Sequence, residues 1–275
     1  MLVTLWTLTA CTVPPGDSAA DEENPQSRGY VLIPASTFTM GCTPGQADCD
    51  DDETVHEVTL THDYWLGVTE VTQAEFHAVM GYNRSIFDEC EARCPVEHLS
   101  WYEQLAYVNA LSDEAGFEQC YSCDELQEAV TCTISVSPYA CEGFRLPTEA
   151  EWEGAARCGE DFEYAGSDTL SEVGWVEDNS DDTTHEVANL APNACGLYDM
   201  SGNVFERTQD VYGPLPADDV TDPVGDEDAH EDALIVGRGG SWSHTAQEAR
   251  TSDRSNGTTI HLTLNVGFRV ARTAQ

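Results

Sequence analysis

The sequence predicts an α+β fold with much irregular structure, pinned by several disulfides. Three observations lead there. Three segments open with an S/T-x-x-E pattern ahead of apolar residues, strand-like runs are scattered between them, and ten cysteines spread through a region dense in Gly, Asn, Asp and Pro. In S/T-x-x-E the hydroxyl accepts from an early helix amide while the glutamate accepts from the cap amide, so the pattern marks a helix start.

The chain begins MLVTLWTLTAC, and Leu2 to Leu8 is an apolar run far too short to cross a bilayer as a mature helix. No basic residue precedes it, but Leu8-Thr9-Ala10-Cys11 is similar to a bacterial lipobox, in which signal cleavage leaves a lipid-modified cysteine. Residues 1–11 are therefore expected to be a lipoprotein signal with Cys11 as the lipidation site. Residues 12–29, with Pro14, Pro15, Gly16, Asp17 and Ser18, are expected to form a flexible tether. Residues 30–272 follow as one domain without an internal repeat.

Within it, Tyr30 to Met40 reads as extended apolar runs around Pro34. Helix starts are expected at Thr72, ahead of Phe76, Val79 and Met80; at Ser100, ahead of Leu105, Val108 and Leu111; and at Thr148, ahead of Trp152, Ala155 and Ala156. Each helix is expected to be around ten residues long. Val266, Phe268 and Val270 alternate with Gly267, Arg269 and Ala271, the period of a half-buried strand. The acidic stretches Asp48 to Glu53 and Asp218 to Asp232 are expected to face solvent.

Setting Cys11 aside leaves an even set: Cys42, Cys49, Cys90, Cys94, Cys120, Cys123, Cys132, Cys141, Cys158 and Cys195. In an exported chain this implies a disulfide framework. The first four suggest small local loops, while Cys120, Cys123, Cys132 and Cys141 allow three pairings. A zinc ribbon is disfavoured because only Cys120-x-x-Cys123 has knuckle spacing.

Charge narrows the function. The chain of 275 residues carries 51 acidic residues against 11 basic ones, all arginine, for a net charge of −40. Such a surface repels phosphate backbones, so no nucleic-acid partner is expected. Without lysine there is no Schiff-base chemistry and no lysine-bearing P-loop.

A series of strings in order then carries a resemblance. Phe38-Thr-Met-Gly41 is followed by Glu70-Val-Thr-Gln73, by Phe144-Arg-Leu-Pro-Thr-Glu-Ala-Glu-Trp-Glu153, and by Asn193 to Val204 containing Gly-Leu-Tyr-Asp-Met. Arg238-Gly-Gly-Ser-Trp242 and Asn265-Val-Gly-Phe-Arg269 complete it. This series resembles the formylglycine-generating enzyme (sulfatase-modifying factor) family. The resemblance implies a variant of the C-type-lectin-like fold, with structural calcium in many members. The strings themselves are mostly architectural: Arg145 and Glu151 suit a buried ion pair, Trp152 a core anchor, and Gly239, Gly240 and Gly267 close backbone approach or positive φ.

The resemblance also implies an active site, in which copper is held by two cysteines just beyond the Gly-Gly-Ser-Trp string. Thiolates suit Cu(I) because both are soft. Here those positions are His244 and Ala249, and no cysteine follows Cys195. Copper and ordinary formylglycine-generating activity are therefore not expected. The eight histidines form no paired ligand motif. Calcium is the metal the residue types favour, because the chain is rich in hard oxygens. The resemblance places Asn203 and Glu206 in a calcium-bearing turn, although Arg207 stands where the family has Trp. Asp226, Asp228 and Glu231 are a weaker set.

What remains is a pocket floor of His244, Arg250 and Arg254, whose guanidinium forks suit a carboxylate. The expectation is a non-catalytic module in the cell envelope, held to the membrane by its lipid, that binds an envelope ligand or protein. The alternatives are an unconventional metal-dependent oxidoreductase and a purely structural lipoprotein.

Overall fold

In the computed structural model, residues 29–87, 92–126, 129–225 and 233–275 are described. The elements run β1 (Tyr30–Ile33), β2 (Ser36–Met40), β3 (His56–Leu60), β4 (Tyr64–Gly67), α1 (Gln73–Met80), α2 (Trp101–Ala115), β5 (Tyr121–Leu126), β6 (Ala129–Ile134) and α3 (Glu149–Arg157). They continue with α4 (Leu170–Val173), β7 (Gly174–Trp175), β8 (Ser201–Gly202), β9 (Phe205–Val211), β10 (Val220–Thr221), β11 (Leu234–Arg238), β12 (Arg254–Thr258), β13 (Val266–Gly267) and β14 (Ala271–Thr273). All three S/T-x-x-E sites start helices. Thr72, Ser100 and Thr148 each accept from the amide three residues on, and Glu75, Glu103 and Glu151 return to the cap amides. α1 and α2 stop at Gly81 and Gly116, both at φ 76°, the left-handed conformation that glycine adopts without steric cost. α2 reaches 15 residues rather than about ten because Leu105, Val108 and Ser112 keep one face buried along its length.

The strands form small sheets: β1-β4-β14, β10-β3-β2, the four-stranded β12-β11-β9-β13, and the pairs β5-β6 and β7-β8. One core packs α1 and α2 against β5-β6 and the chain around Phe268, with Phe76 stacked on Tyr107 and Tyr107 edge-on to Phe268. A second packs α3 against the N-terminal strands, through Trp152, Ala155, Leu66 and Val58.

Between Trp175 and Ser201 there is neither helix nor strand, so its polar groups must be satisfied otherwise. Asn193 is the main device. Its amide donates to the carbonyls of Ala155 and Ala156, and its oxygen accepts from the amides of Cys195 and Leu197. Disulfides fix further turns: Cys42–Cys49, Cys120–Cys141, Cys123–Cys132 and Cys158–Cys195. The central four thus take the nested pairing. Cys94 is also disulfide-bonded, while Cys90, Cys11 and residues 12–28 of the expected tether lie outside the described residues. No helix among the described residues is long and apolar enough to cross a membrane.

Two local expectations are corrected. The alternating stretch at 266–271 is not one half-buried strand. It contributes β13 to one sheet and β14 to another, and both faces are buried: Arg269, expected outside, is 0% exposed because it pairs with Glu206. The acidic stretch 48–53 does not wholly face solvent either, since Glu53 is 3% exposed and binds Arg250.

α3 is the hub of the polar interior. Arg145 forks onto Glu151 at 2.6 and 2.7 Å, Arg254 onto Glu149 at 2.6 and 2.9 Å, and Arg157 and Arg238 share Glu153. Trp152, fully buried, donates from Nε1 to Glu206 at 2.8 Å and lies under the Arg238 guanidinium. Trp152→Ala is expected to cost about 3–5 kcal/mol by leaving a core cavity. Trp152→Phe, which keeps most of the packing, should cost less than half of that. Urea unfolding midpoints check this, and equal losses for both variants would refute it.

Candidate functional site

The segment that follows β11 is shaped by Gly239 and Gly240, at φ 88° and 67°. A Cβ on Gly240 would meet the Glu248 carbonyl oxygen at 2.7 Å, so the chain folds back tightly and brings residues 248–249 against it. His244 sits in the turn between, its amide donating to the Ser241 carbonyl and its Nδ1 lying 2.9 Å from Ser241 Oγ. Its ring is edge-on to Phe205, and its Nε2 is 4.0 Å from Glu248 Oε1. Burial lowers its pKa, which keeps the imidazole neutral near pH 7. Ala249 is fully buried among Tyr164, Val173 and Val176. His244 alone offers a ligand atom, and Ala249 in its apolar cluster offers none, so the two-thiolate copper site does not form here.

The other two arginines of the expected pocket floor are already occupied. Arg250 is 0% exposed and forks onto Glu53 at 2.7 and 2.9 Å, with Asp253 at 3.5 Å. Arg254 forks onto Glu149 and lies over the Tyr212 ring. Sequence alone leaves both open to a ligand carboxylate or to internal pairing with the abundant Asp and Glu, and interior glutamates take the forks. His244, Arg250 and Arg254 are therefore not brought into one pocket.

The calcium residues fare similarly. Asn203 closes a reciprocal pair with the backbone of His185, and both Glu206 oxygens accept from Arg269 at 2.6 Å. Neither is left free to face a cation. Asp226, Asp228 and Glu231 lie outside the described residues. A different acidic trio, Asp50, Glu53 and Asp253, brings carboxylate oxygens within 4.8 Å of one another, a donor set that could hold a cation. Arg250 already stands among all three, so it offsets part of their charge within the protein.

A pocket of about 400 Å³ opens beside the N-terminus of α3. His56, Glu149, Asp210, Tyr212 and Arg254 supply its polar functions, and Leu215 and Val224 are among its apolar walls. Asp210 accepts from the amides of Glu149 and Gly225, tying α3 to the 223–225 turn. His56 Nδ1 donates to the Thr54 carbonyl. Sequence reading missed this pocket except for Arg254. Its residues come from segments more than 150 positions apart, and none belongs to a motif that signals binding.

The profile of the sulfatase-modifying factor enzyme 1-like domain matches residues 15–274. The chain belongs to this family. Chaperone protein LppX of Paenibacillus barcinonensis is 29% identical over 88% of this chain and 97% of its own length. Inactive Cα-formylglycine-generating enzyme 2 of Bos taurus is 33% identical over 90% of this chain and 89% of its own. Among solved structures, Treponema denticola variable protein 1 superposes with a TM-score of 0.78 at 31% identity, covering 89% of this chain and 95% of that one. The mixed α+β architecture with irregular connections and disulfides is the family's fold.

Burial raises several carboxyl pKa values. Asp210 and Asp253 are pushed up to about 7, Asp199 to about 6, and Glu70 well above the ordinary carboxylate range. Unfolded carboxyls titrate near 4, so between that pH and about 7 the folded chain holds more protons. Stability from these groups is complete below about pH 4 and is lost as pH rises through 6 to 7. Glu53, lowered chiefly by its bond to Arg250 against the opposing effect of burial, acts only below this window. The melting midpoint is therefore expected to be higher at pH 5 than at pH 7.5. Asp210→Asn should flatten the fall, which for one such group is roughly 1.4 kcal/mol per pH unit. A wild-type midpoint that rises toward pH 7.5, or a slope unchanged in the variant, would contradict the assignment.

Proposed function

We propose that this protein is a non-catalytic binding module of an exported, lipid-anchored chain. The observation that carries it is Ala249, a side chain without a ligand atom, sealed in an apolar cluster where the family's chemistry needs a thiolate. A site lacking both soft thiolates holds Cu(I) poorly. The kinship with an inactive family member and with a chaperone supports a role in binding rather than oxidation. The disulfides support an oxidising compartment, since they rarely persist in reducing cytosol. The cavity beside Arg254 is the place for a ligand, because it combines apolar walls with a few polar groups, as small-ligand sites do.

Purified protein is expected to carry far less than one copper or iron per chain and to consume no oxygen with cysteine-containing peptides. Stoichiometric redox metal together with thiol-dependent oxygen uptake would sink the proposal. The anchor has its own test. Cells fed radioactive palmitate should label the wild-type chain and not Cys11→Ala, and an unlabelled wild-type chain would refute the lipid anchor.

A further inference from the structure

Arg207 differs from the other buried arginines. Arg145, Arg157, Arg238, Arg250, Arg254 and Arg269 each reach a glutamate. Arg207 is 2% exposed and, among the described residues, meets no carboxylate, in a chain with 51 acidic residues. Its Nη2 donates to the His261 carbonyl at 3.1 Å, and its Nη1 is buried with no partner. Burial with no opposing charge lowers its pKa to about 10. An uncompensated interior charge is among the costlier features a fold can carry.

The surroundings are built to admit the guanidinium rather than to neutralise it. Arg207 stands opposite Gly237 in the β9-β11 register, where a side chain would collide with Phe205. Its Nη2 lies 3.5 Å from where a Cβ of Gly257 would be. The guanidinium thus reaches across a sheet face kept bare by glycine, under residues 259–264. At the end of β12 and within this loop, Thr258 Oγ1 and Thr263 Oγ1 are likewise buried without partners. The same loop carries exposed apolar groups, Ile260, Leu262 and Leu264, at 54%, 39% and 37%. Its two ends are tied by Trp101 to the Thr259 carbonyl and by His98 to the Thr263 carbonyl. Between them, the tip is held to the sheet through the bond from Arg207 to His261.

We propose that Arg207 is the anchor of a binding site, beneath the 259–264 loop, for a monocarboxylate carried on an apolar group. One guanidinium compensates one negative charge; a phosphate dianion would leave a buried excess in a chain that already carries −40. The carboxylate takes the place of the His261 carbonyl and engages Nη1, a fork geometry that arginine matches well. The exposed leucines and isoleucine receive the apolar part. This site is separate from the cavity beside Arg254 and does not rest on the missing copper ligands. Oxygen uptake would overturn the proposed function and leave this inference standing.

Two sources share the chemistry, a free fatty acid and the C-terminus of an apolar-ended peptide. The probes are octanoate, a short peptide ending in leucine, and that peptide as its C-terminal amide, each followed by thermal melting and calorimetry on the full chain. At least one carboxylate is expected to raise the wild-type midpoint, and the amide is not. A response to octanoate alone assigns a free acid, to the peptide alone a protein terminus, and to both a site that reads only carboxylate and apolar group. Arg207→Leu is expected to melt higher than wild type without ligand and to bind the responding carboxylate at least tenfold more weakly. Arg207→Met serves as the second variant. The proposal fails if neither carboxylate binds wild type at millimolar concentration, if the amide binds as well as the acid, or if the variants bind undiminished. It also fails if both variants melt lower than wild type or do not fold, because Arg207 is then a structural residue.

Discussion

The interior depends on arginine–glutamate forks. Arg145, Arg238, Arg250 and Arg269 rank among the largest fully buried side chains of the molecule, beside Trp101 and Trp152. Their worth is not net stability, since well-packed apolar groups of similar volume often do as well as a buried ion pair. Their effect is to penalise every other arrangement. A glutamate deprived of its arginine in this interior keeps the full desolvation cost of its charge, typically about 3–5 kcal/mol. Short strands and long irregular connections carry little register information of their own, so the forks supply it. Arg250 fastens the segment before β12 to the loop at Glu53, and Arg269 fastens the last strands to β9 at Glu206.

α3 shows how a short string accomplishes this. Glu149, Glu151 and Glu153 are spaced two apart, so successive carboxylates project from different sides of one helix. They meet Arg254, Arg145 and the pair Arg157 and Arg238 respectively. The helix is gripped from several directions while Trp152 fills the core beneath it. The same network removes Arg250 and Arg254 from the list of groups free to hold a ligand. What the segment after β11 offers instead is His244 in a turn and Ala249 in an apolar cluster.

Much of this was legible in the chain. The three capped helices, the Arg145–Glu151 pair and the Trp152 anchor follow from local patterns, because caps and ion pairs six residues apart are short-range properties. Cys42–Cys49 was legible for the same reason. The nested pairing at 120–141 was not, since spacing permits three connectivities. The fate of Arg269 and Glu53 was not either. Each is assigned by a partner far along the chain, 63 and 197 residues away, and alternation alone put Arg269 on the solvent side. The cavity beside Arg254 escaped sequence reading on the same ground.

The distribution of charge, more than its total, constrains what the molecule can bind. Among the described residues seven arginines are buried, while Arg84 and Arg93 keep 48% and 57% of their side-chain area in solvent, each beside a glutamate. The exterior is therefore close to uniformly negative, with most of the compensating charge hidden beneath it. At long range such a surface repels anions and draws cations, and salt of physiological strength confines that field to about 8 Å. An anionic ligand gains nothing from steering and must obtain its affinity from contact inside the fold. Six of the buried arginines cannot provide it, because each would have to abandon a glutamate in a medium where that carboxylate has no other cation. Among the described residues, Arg207 is the buried guanidinium that has no glutamate to abandon.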